Sequence, residues 1–147
     1  VHIFLGEFNA DTTTWHTQDA LVGNFNVFGK DATTTHCSKC VKDAKAHVLI
    51  TGTVPLTKAL IDVYKKGDLG SLEKQNVLPY LRENLHWRVT LADGTEVTRE
   101  EVAGLKISVV STEVELVGGR QRFSGVYEVH PEVTEGRPAG HGVGDEV

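Results

Sequence analysis

Leu85-His86-Trp87-Arg88-Val89-Thr90-Leu91 is the stretch whose reading decides the fold. Leu85, Trp87, Val89 and Leu91 share one parity, and His86, Arg88 and Thr90 share the other. A strict period of two predicts a strand with one buried face. Ala92-Asp93-Gly94-Thr95 then reads as a turn. On the N-terminal side, Pro79 to Asn84 has the makings of one helical turn, with Pro79 tolerated at its start. On the C-terminal side, Leu105, Ile107 and Val109 hold one parity, whereas Val110, Thr112, Val114 and Leu116 hold the other. That change predicts a bulge near Val109 and Val110, or a strand that switches sheets.

The same reading extends over the rest of the chain. Val1 to Phe8 alternates with apolar residues on both faces, which predicts a strand covered on both sides. Asn9 to Thr14 is a polar turn, Trp15 to Val22 is irregular, and Asn24 to Phe28 forms a short strand. Thr33 to Lys45 has no apolar period and reads as a mobile surface loop. Ala46 to Val54 alternates again, until Pro55 stops it. Leu56, Ala59, Leu60, Val63 and Tyr64 fall at helical spacing, with Thr57 as N-cap and Gly67 as stop. After Val117, Gly, Pro, Glu and His dominate and apolar residues stand singly, which predicts a flexible tail. The expected fold is mainly β: an antiparallel sandwich or partly open barrel with one packed helix over residues 1–117, and a tail over 118–147.

Composition narrows the function. The chain has 147 residues, 39% hydrophobic and 24% charged, enough for one domain with a core. No apolar run approaches the roughly 18 residues of a membrane span. The net charge of −5 and the lack of a basic stripe argue against nucleic acid as a partner. No signal peptide is visible, and two cysteines cannot staple a secreted mini-domain, so a cytoplasmic or other intracellular location is expected. The chain opens without Met and inside a strand, and reads as a piece of something longer, cut from its N-terminal part with its first strand clipped.

Unusual chemistry is concentrated at Cys37-Ser38-Lys39-Cys40. Thiolates are soft ligands suited to Cu(I), Zn or Fe–S centres. Two of them grip one ion but cannot complete a tetrahedral structural site. His36 and His47 are candidates to add ligands, and Lys39, Lys42 and Lys45 favour thiolate by nearby positive charge. Transient metal binding at Cys37 and Cys40 is the leading expectation. A small redox disulfide, or no function, is the alternative. Thioredoxin-type pairs open a helix within a βαβ unit, and the alternation that follows this pair argues against one. Phe25 and Phe28, beside Val27, read first as core residues. Phe28 also sits at the lip of Gly29-Lys30-Asp31, from which a ring can project into a partner's cavity. No His-x-x-x-His pair, nucleophile triad or phosphate-cradling glycine loop stands out, and the chain by itself does not read as an enzyme.

An ordered set of motifs resembles the C-terminal domain of fungal tyrosinases. It comprises Phe4-Leu5-Gly6, Leu21-Val22-Gly23, the Cys37/Cys40 pair, Val54-Pro55-Leu56-Thr57 with Ala59-Leu60, and Pro79-Tyr80-Leu81 with Asn84 to Val89 and Asp93-Gly94. The resemblance runs from about Val1 to Leu116. It implies a β-sandwich that covers the dicopper active site of a separate N-terminal catalytic domain, a phenol oxidase of melanin formation. It implies that Phe28 is the plug occupying the substrate's place, and that Cys37 and Cys40 are the copper-loading pair. It also implies a processing protease that removes the cover. The competing expectations are a stand-alone thiol redox or metal-binding module, and a β-sandwich binding domain whose cysteines are incidental.

Overall fold

The computed structural model describes residues 1–27, 36–46, 48–98, 101–102 and 104–145. In chain order the elements are β1 (His2–Leu5), a 3-10 helix (Thr12–Thr17), β2 (Leu21–Asn24), α1 (Ser38–Lys45), α2 (Thr57–Lys66) and α3 (Lys74–Asn84). They continue with β3 (Leu85–Thr90), β4 (Glu96–Val97), β5 (Val110–Val117), β6 (Arg120–Val129) and α4 (Pro131–Thr134). Four strands make one sheet in the order β2-β1-β3-β4, and β5 and β6 make a separate hairpin. Every pairing within these sheets is antiparallel. The mainly antiparallel-β expectation therefore holds, and the described residues contain no closed barrel.

The alternation of β3 becomes burial: Leu85, Trp87 and Val89 are buried, and His86, Arg88 and Thr90 are half-buried. β1 lies between β2 and β3 and is buried along its whole length, as its two apolar faces require. Register pairs Ile3 with Trp87 and Leu5 with Leu85, so one face of the sheet is continuous and apolar. It packs with Leu81 of α3, Val109 and Val133 of α4 into the principal core, flanked by Leu56, Ala59, Leu60 and Val63 of α2. The opposite face carries Phe4, stacked on Phe8 at 4.1 Å and met edge-on by Trp15 at 5.3 Å. Trp15 is positioned by the 3-10 helix, which Asp11 caps through the Thr13 N–H at 3.0 Å. Its indole N–H donates to Asn9 O at 2.8 Å.

Helices are more numerous than the sequence suggests. α2 ends where expected, at Gly67 in the left-handed region (φ 91°), but starts without a side-chain cap. α3 begins five residues before Pro79, runs through it for 11 residues in all, and passes directly into β3. Conversely, no strand forms over residues 48–54, where alternation predicted one.

The largest difference is at the C-terminal end. The segment expected as a flexible tail holds β6 and α4 and supplies Val133, Thr134, His130 and His141 to the buried set. Thr134 Oγ1 donates to His141 O at 2.8 Å. Ile107 takes a parallel bridge to Gly140, with Ile107 N–H to Ala139 O at 2.7 Å and His141 N–H to Ile107 O at 2.8 Å. Gly140 fits because a Cβ there would lie 1.9 Å from Thr134 O. The glycines and prolines that resemble linker composition make tight turns in this clasp. The parity change near Val109 resolves as a switch of sheets: Val109 stays in the core, and Val110 starts the hairpin. The bulge itself falls further along, between Thr112 and Val114.

Removing the chain from Gly119 onward should therefore unfold the domain rather than trim it. The expected readout is loss of the near-ultraviolet tryptophan dichroism. An unchanged spectrum and melting temperature would refute the clasp.

Candidate functional site

Cys37 immediately precedes α1, and Cys40 lies in its first turn. The Cys40 backbone N–H donates to Cys37 Sγ at 3.3 Å, so the sulfur occupies the place of an N-capping oxygen. Both side chains are exposed, and they are not joined in a disulfide. The two thiols are electrostatically unequal. The Cys40 thiol and then the Cys40 N–H hydrogen-bond Cys37, which holds its pKa below that of an ordinary thiol. The same side-chain hydrogen bond, with Cys40 as the proton holder, pushes Cys40 up. The hydrogen bond thus favours thiolate at Cys37 over Cys40, as expected when one thiolate is bound by the other's S–H at a helix N-terminus.

The expected lysine support is only partly present. Lys39 pairs with Asp43 at 2.6 Å in the i,i+4 position, and this carboxylate opposes thiolate formation at both cysteines. Lys42 and Lys45 fall in the last turn of α1, away from its start. Helix geometry, which the sequence reading treated as a loop, takes over their role. The pair opens a helix, yet no βαβ unit follows: residues 48–56 carry no regular element before α2.

The other sequence candidates separate into two groups. Phe28 and His47 lie outside the described residues. His36 is exposed beside Cys37. Among the described residues, no group of three or more His, Cys, Asp or Glu side chains is placed to hold a metal ion. The stalk leading to Phe28 is well anchored. Phe25 exchanges two hydrogen bonds with Val1, at 2.8 and 2.7 Å. Its ring lies so close over Gly52 that a Cβ there would approach it to 2.0 Å.

A second constellation escaped the sequence reading because its members come together only through the hairpin. Ser111 Oγ is 2.8 Å from His130 Nε2, and His130 Nδ1 is 3.5 Å from Glu132 Oε1. Serine, histidine and carboxylate in this order invite comparison with acyl-transfer triads. The surrounding groove argues otherwise. It is lined by Glu113 and Glu128, whose carboxylates repel a developing oxyanion, and Lys74 is already bound to Glu128. His130 is buried, and these contacts satisfy its ring where the hairpin leaves the core.

With this geometry in hand, comparison with known proteins defines the class. The model of the family described as the tyrosinase C-terminal domain matches residues 1–109, and the chain belongs to that family. Among individual proteins, it is 47% identical over 148 aligned positions to a tyrosinase of Neurospora crassa, covering 100% of this chain and 22% of that protein. A tyrosinase of Podospora anserina is 43% identical over 65 positions, or 42% of this chain and 11% of that protein. The chain thus spans about a fifth or less of the length of these relatives. No solved structure matches.

The unequal thiols generate a direct prediction. Because the Cys37 pKa is lowered and that of Cys40 raised, Cys37 should carry thiolate at lower pH. Iodoacetamide labelling from pH 6 to 10, read by peptide mass spectrometry, should show Cys37 reacting at lower pH than Cys40. The reverse order would contradict the hydrogen-bond assignment.

Proposed function

We propose that this chain is the covering and copper-loading domain of a fungal tyrosinase. The supporting observation is the exposed Cys37–Cys40 pair at the start of α1, in a chain of the tyrosinase C-terminal domain family. In this reading the parent polypeptide carries a dicopper catalytic domain that oxidises monophenols and o-diphenols, the entry to melanin. The domain's partner is that catalytic domain, within one chain. A protease later cuts between them. A reducing, intracellular compartment is part of the same reading.

Two actions are assigned to neighbouring residues. Phe28 enters the phenol pocket as a plug. Burying one ring in an apolar pocket contributes about 1.5–3 kcal/mol. A short tether supplies an effective concentration of roughly millimolar order. Together they exclude substrate, and cutting the linker removes the tether. Cys37 and Cys40 capture Cu(I) as cargo. Two sulfurs suit this ion in near-linear coordination, and an incomplete ligand set lets it pass to the imidazoles of the catalytic domain. The lowered Cys37 pKa favours capture, because the metal binds thiolate.

A thiol redox module is the second reading, favoured by the helix-opening position of the pair. It requires a reversible Cys37–Cys40 disulfide of defined potential, and no dependence of parent copper content on the cysteines.

In the uncleaved parent, Phe28→Ala should raise phenol oxidation by about 10- to 100-fold, the rate equivalent of the ring's burial. Unchanged latency would remove the plug. Cys37→Ser with Cys40→Ser should lower the copper acquired from limiting Cu(I), measured by elemental analysis. Equal copper in wild type and variant would remove the loading role.

A further inference from the structure

We infer that the tip of the β5–β6 hairpin is a cleavage site for an endoprotease that cuts after arginine, and that this cut undoes the domain by untethering the clasp on Trp87. It is separate from the cut proposed between the two domains and does not depend on the covering or copper-loading roles. β5 and β6 form a sheet of their own. Consecutive residues of a strand point to opposite faces. Leu116 is 75% exposed and Val117 is 55% exposed, so both faces of the hairpin are open to water there. A two-stranded hairpin with neither face covered is marginal in water and opens locally at low cost. Its ladder is also interrupted. The register shifts between Thr112 and Val114, and Val126 O accepts from the Thr112 and Ser124 hydroxyls at 2.8 and 3.3 Å. Beyond this bulge the tip is held by the pairs from Val114–Phe123 to Val117–Arg120. It turns on Gly118 and Gly119, both at positive φ (59° and 76°), as a two-residue hairpin turn requires.

Arg120 and Arg122 stand on the strand that leaves this turn, and both are exposed. The hairpin carries no lysine, so a protease would have to recognise guanidinium. The other described arginines are built into structure. Arg82 lies within α3. Arg88 is half-buried in β3, with its guanidinium 5.5 Å from the Phe8 ring centroid. Arg137 lies over Trp87 at 4.0 Å. A protease cleft takes its substrate as an extended chain. A helix or an inner strand must unfold to enter it, whereas the hairpin tip needs only to fray.

Hydrolysis adds one water across Arg120–Gln121 or Arg122–Phe123, leaving an arginine carboxylate and a new ammonium terminus. The far piece carries Val133 of the core, Pro138 O, which accepts the Trp87 indole N–H at 3.0 Å, Arg137, and Gly140 with its bridge to Ile107. No disulfide ties it to the rest, because both cysteines are free. Once the backbone is cut, these contacts become bimolecular and lose the effective concentration that the tether supplied. The Lys74–Glu128 ion pair is exposed, and such pairs hold little. Departure of the piece empties the Val133 position in the core and leaves the Trp87 N–H without its acceptor.

The test uses the full parent chain, folded, and a brief digestion with clostripain, an arginine-specific endoprotease. Mass spectrometry should show the bonds after Arg120 and Arg122 cut at least tenfold faster than those after Arg82, Arg88 and Arg137. On dilution and gel filtration the C-terminal piece should separate, and amide hydrogen exchange over Leu85–Thr90 should lose its protection. Arg120→Lys with Arg122→Lys keeps both charges and denies the protease its residue, so it should abolish the cut, the separation and the loss of protection. Arg120→Gln with Arg122→Gln should do the same. First cuts at Arg82, Arg88 or Arg137, or a hairpin left intact, overturn the site. A cut hairpin whose C-terminal piece stays bound, with exchange over Leu85–Thr90 unchanged, overturns the unlocking.

Discussion

Trp87 is the point at which the sheet, the helices and the end of the chain are held together. Its ring is fully buried on the apolar face of β3, opposite Ile3 of the central strand. Its indole N–H donates to Pro138 O at 3.0 Å, across 51 residues of sequence. The Arg137 guanidinium lies over the ring at 4.0 Å and bonds to Leu85 O. A buried indole contributes a large apolar area only if its polar edge is satisfied, and the C-terminal segment provides that partner. A cation held over a ring contributes about 0.5–2 kcal/mol, depending on its exposure. Here the same guanidinium also satisfies a strand carbonyl, so loss of Arg137 would leave both groups wanting. The four-stranded sheet, α3 and α4 all converge on this residue through the principal core.

Much of the scaffold was legible because the physics that built it is local. The alternation from Leu85 to Val89 and the two-faced apolar pattern of β1 translate directly into burial. The stripe of α2 lies half-buried against the core except at Tyr64, which is exposed, and the Gly67 stop is where the pattern placed it. Where partners are distant in sequence, periodicity carried no signal. Nothing in the composition after Val117 announces that Val133 and Thr134 are fully buried, because Val133 packs into a core built from the distant Ile3, Leu5, Leu81, Leu85, Trp87 and Val109. The strip at residues 48–54 alternates like a strand, yet finds no sheet edge to join among the described residues; Val48, Leu49 and Ile50 remain in water, and Val54 alone packs against the core. Pro79 misled for the opposite reason. It was read as a helix start, whereas α3 tolerates it inside, at the cost of one backbone hydrogen bond.

At the site, residue identity was legible and environment was not. Spacing alone singled out Cys37 and Cys40, but not which sulfur holds its proton less tightly. That distinction comes from the Cys40 N–H and thiol, both directed at Cys37, and from the start of α1. The flanking lysines, prominent in the sequence, are a weaker influence, because the nearest is engaged by Asp43. Backbone geometry at a helix end outweighs exposed side-chain charge, which water screens. In the proposed division of labour, this local asymmetry prepares a sulfur for metal.

The clasp at Pro138 to His141 has a consequence for biosynthesis. Polypeptides emerge from the ribosome N-terminus first, at roughly 5–20 residues per second, and preceding domains fold before later ones are complete. The backbone groups that close over Trp87 belong to residues translated about fifty positions after it. Until they appear, the sheet lacks its final partners and the domain cannot set. Completion of this core therefore waits until Val133 and Pro138 have been synthesised, so the order of translation sets when the Trp87 indole finds its partner.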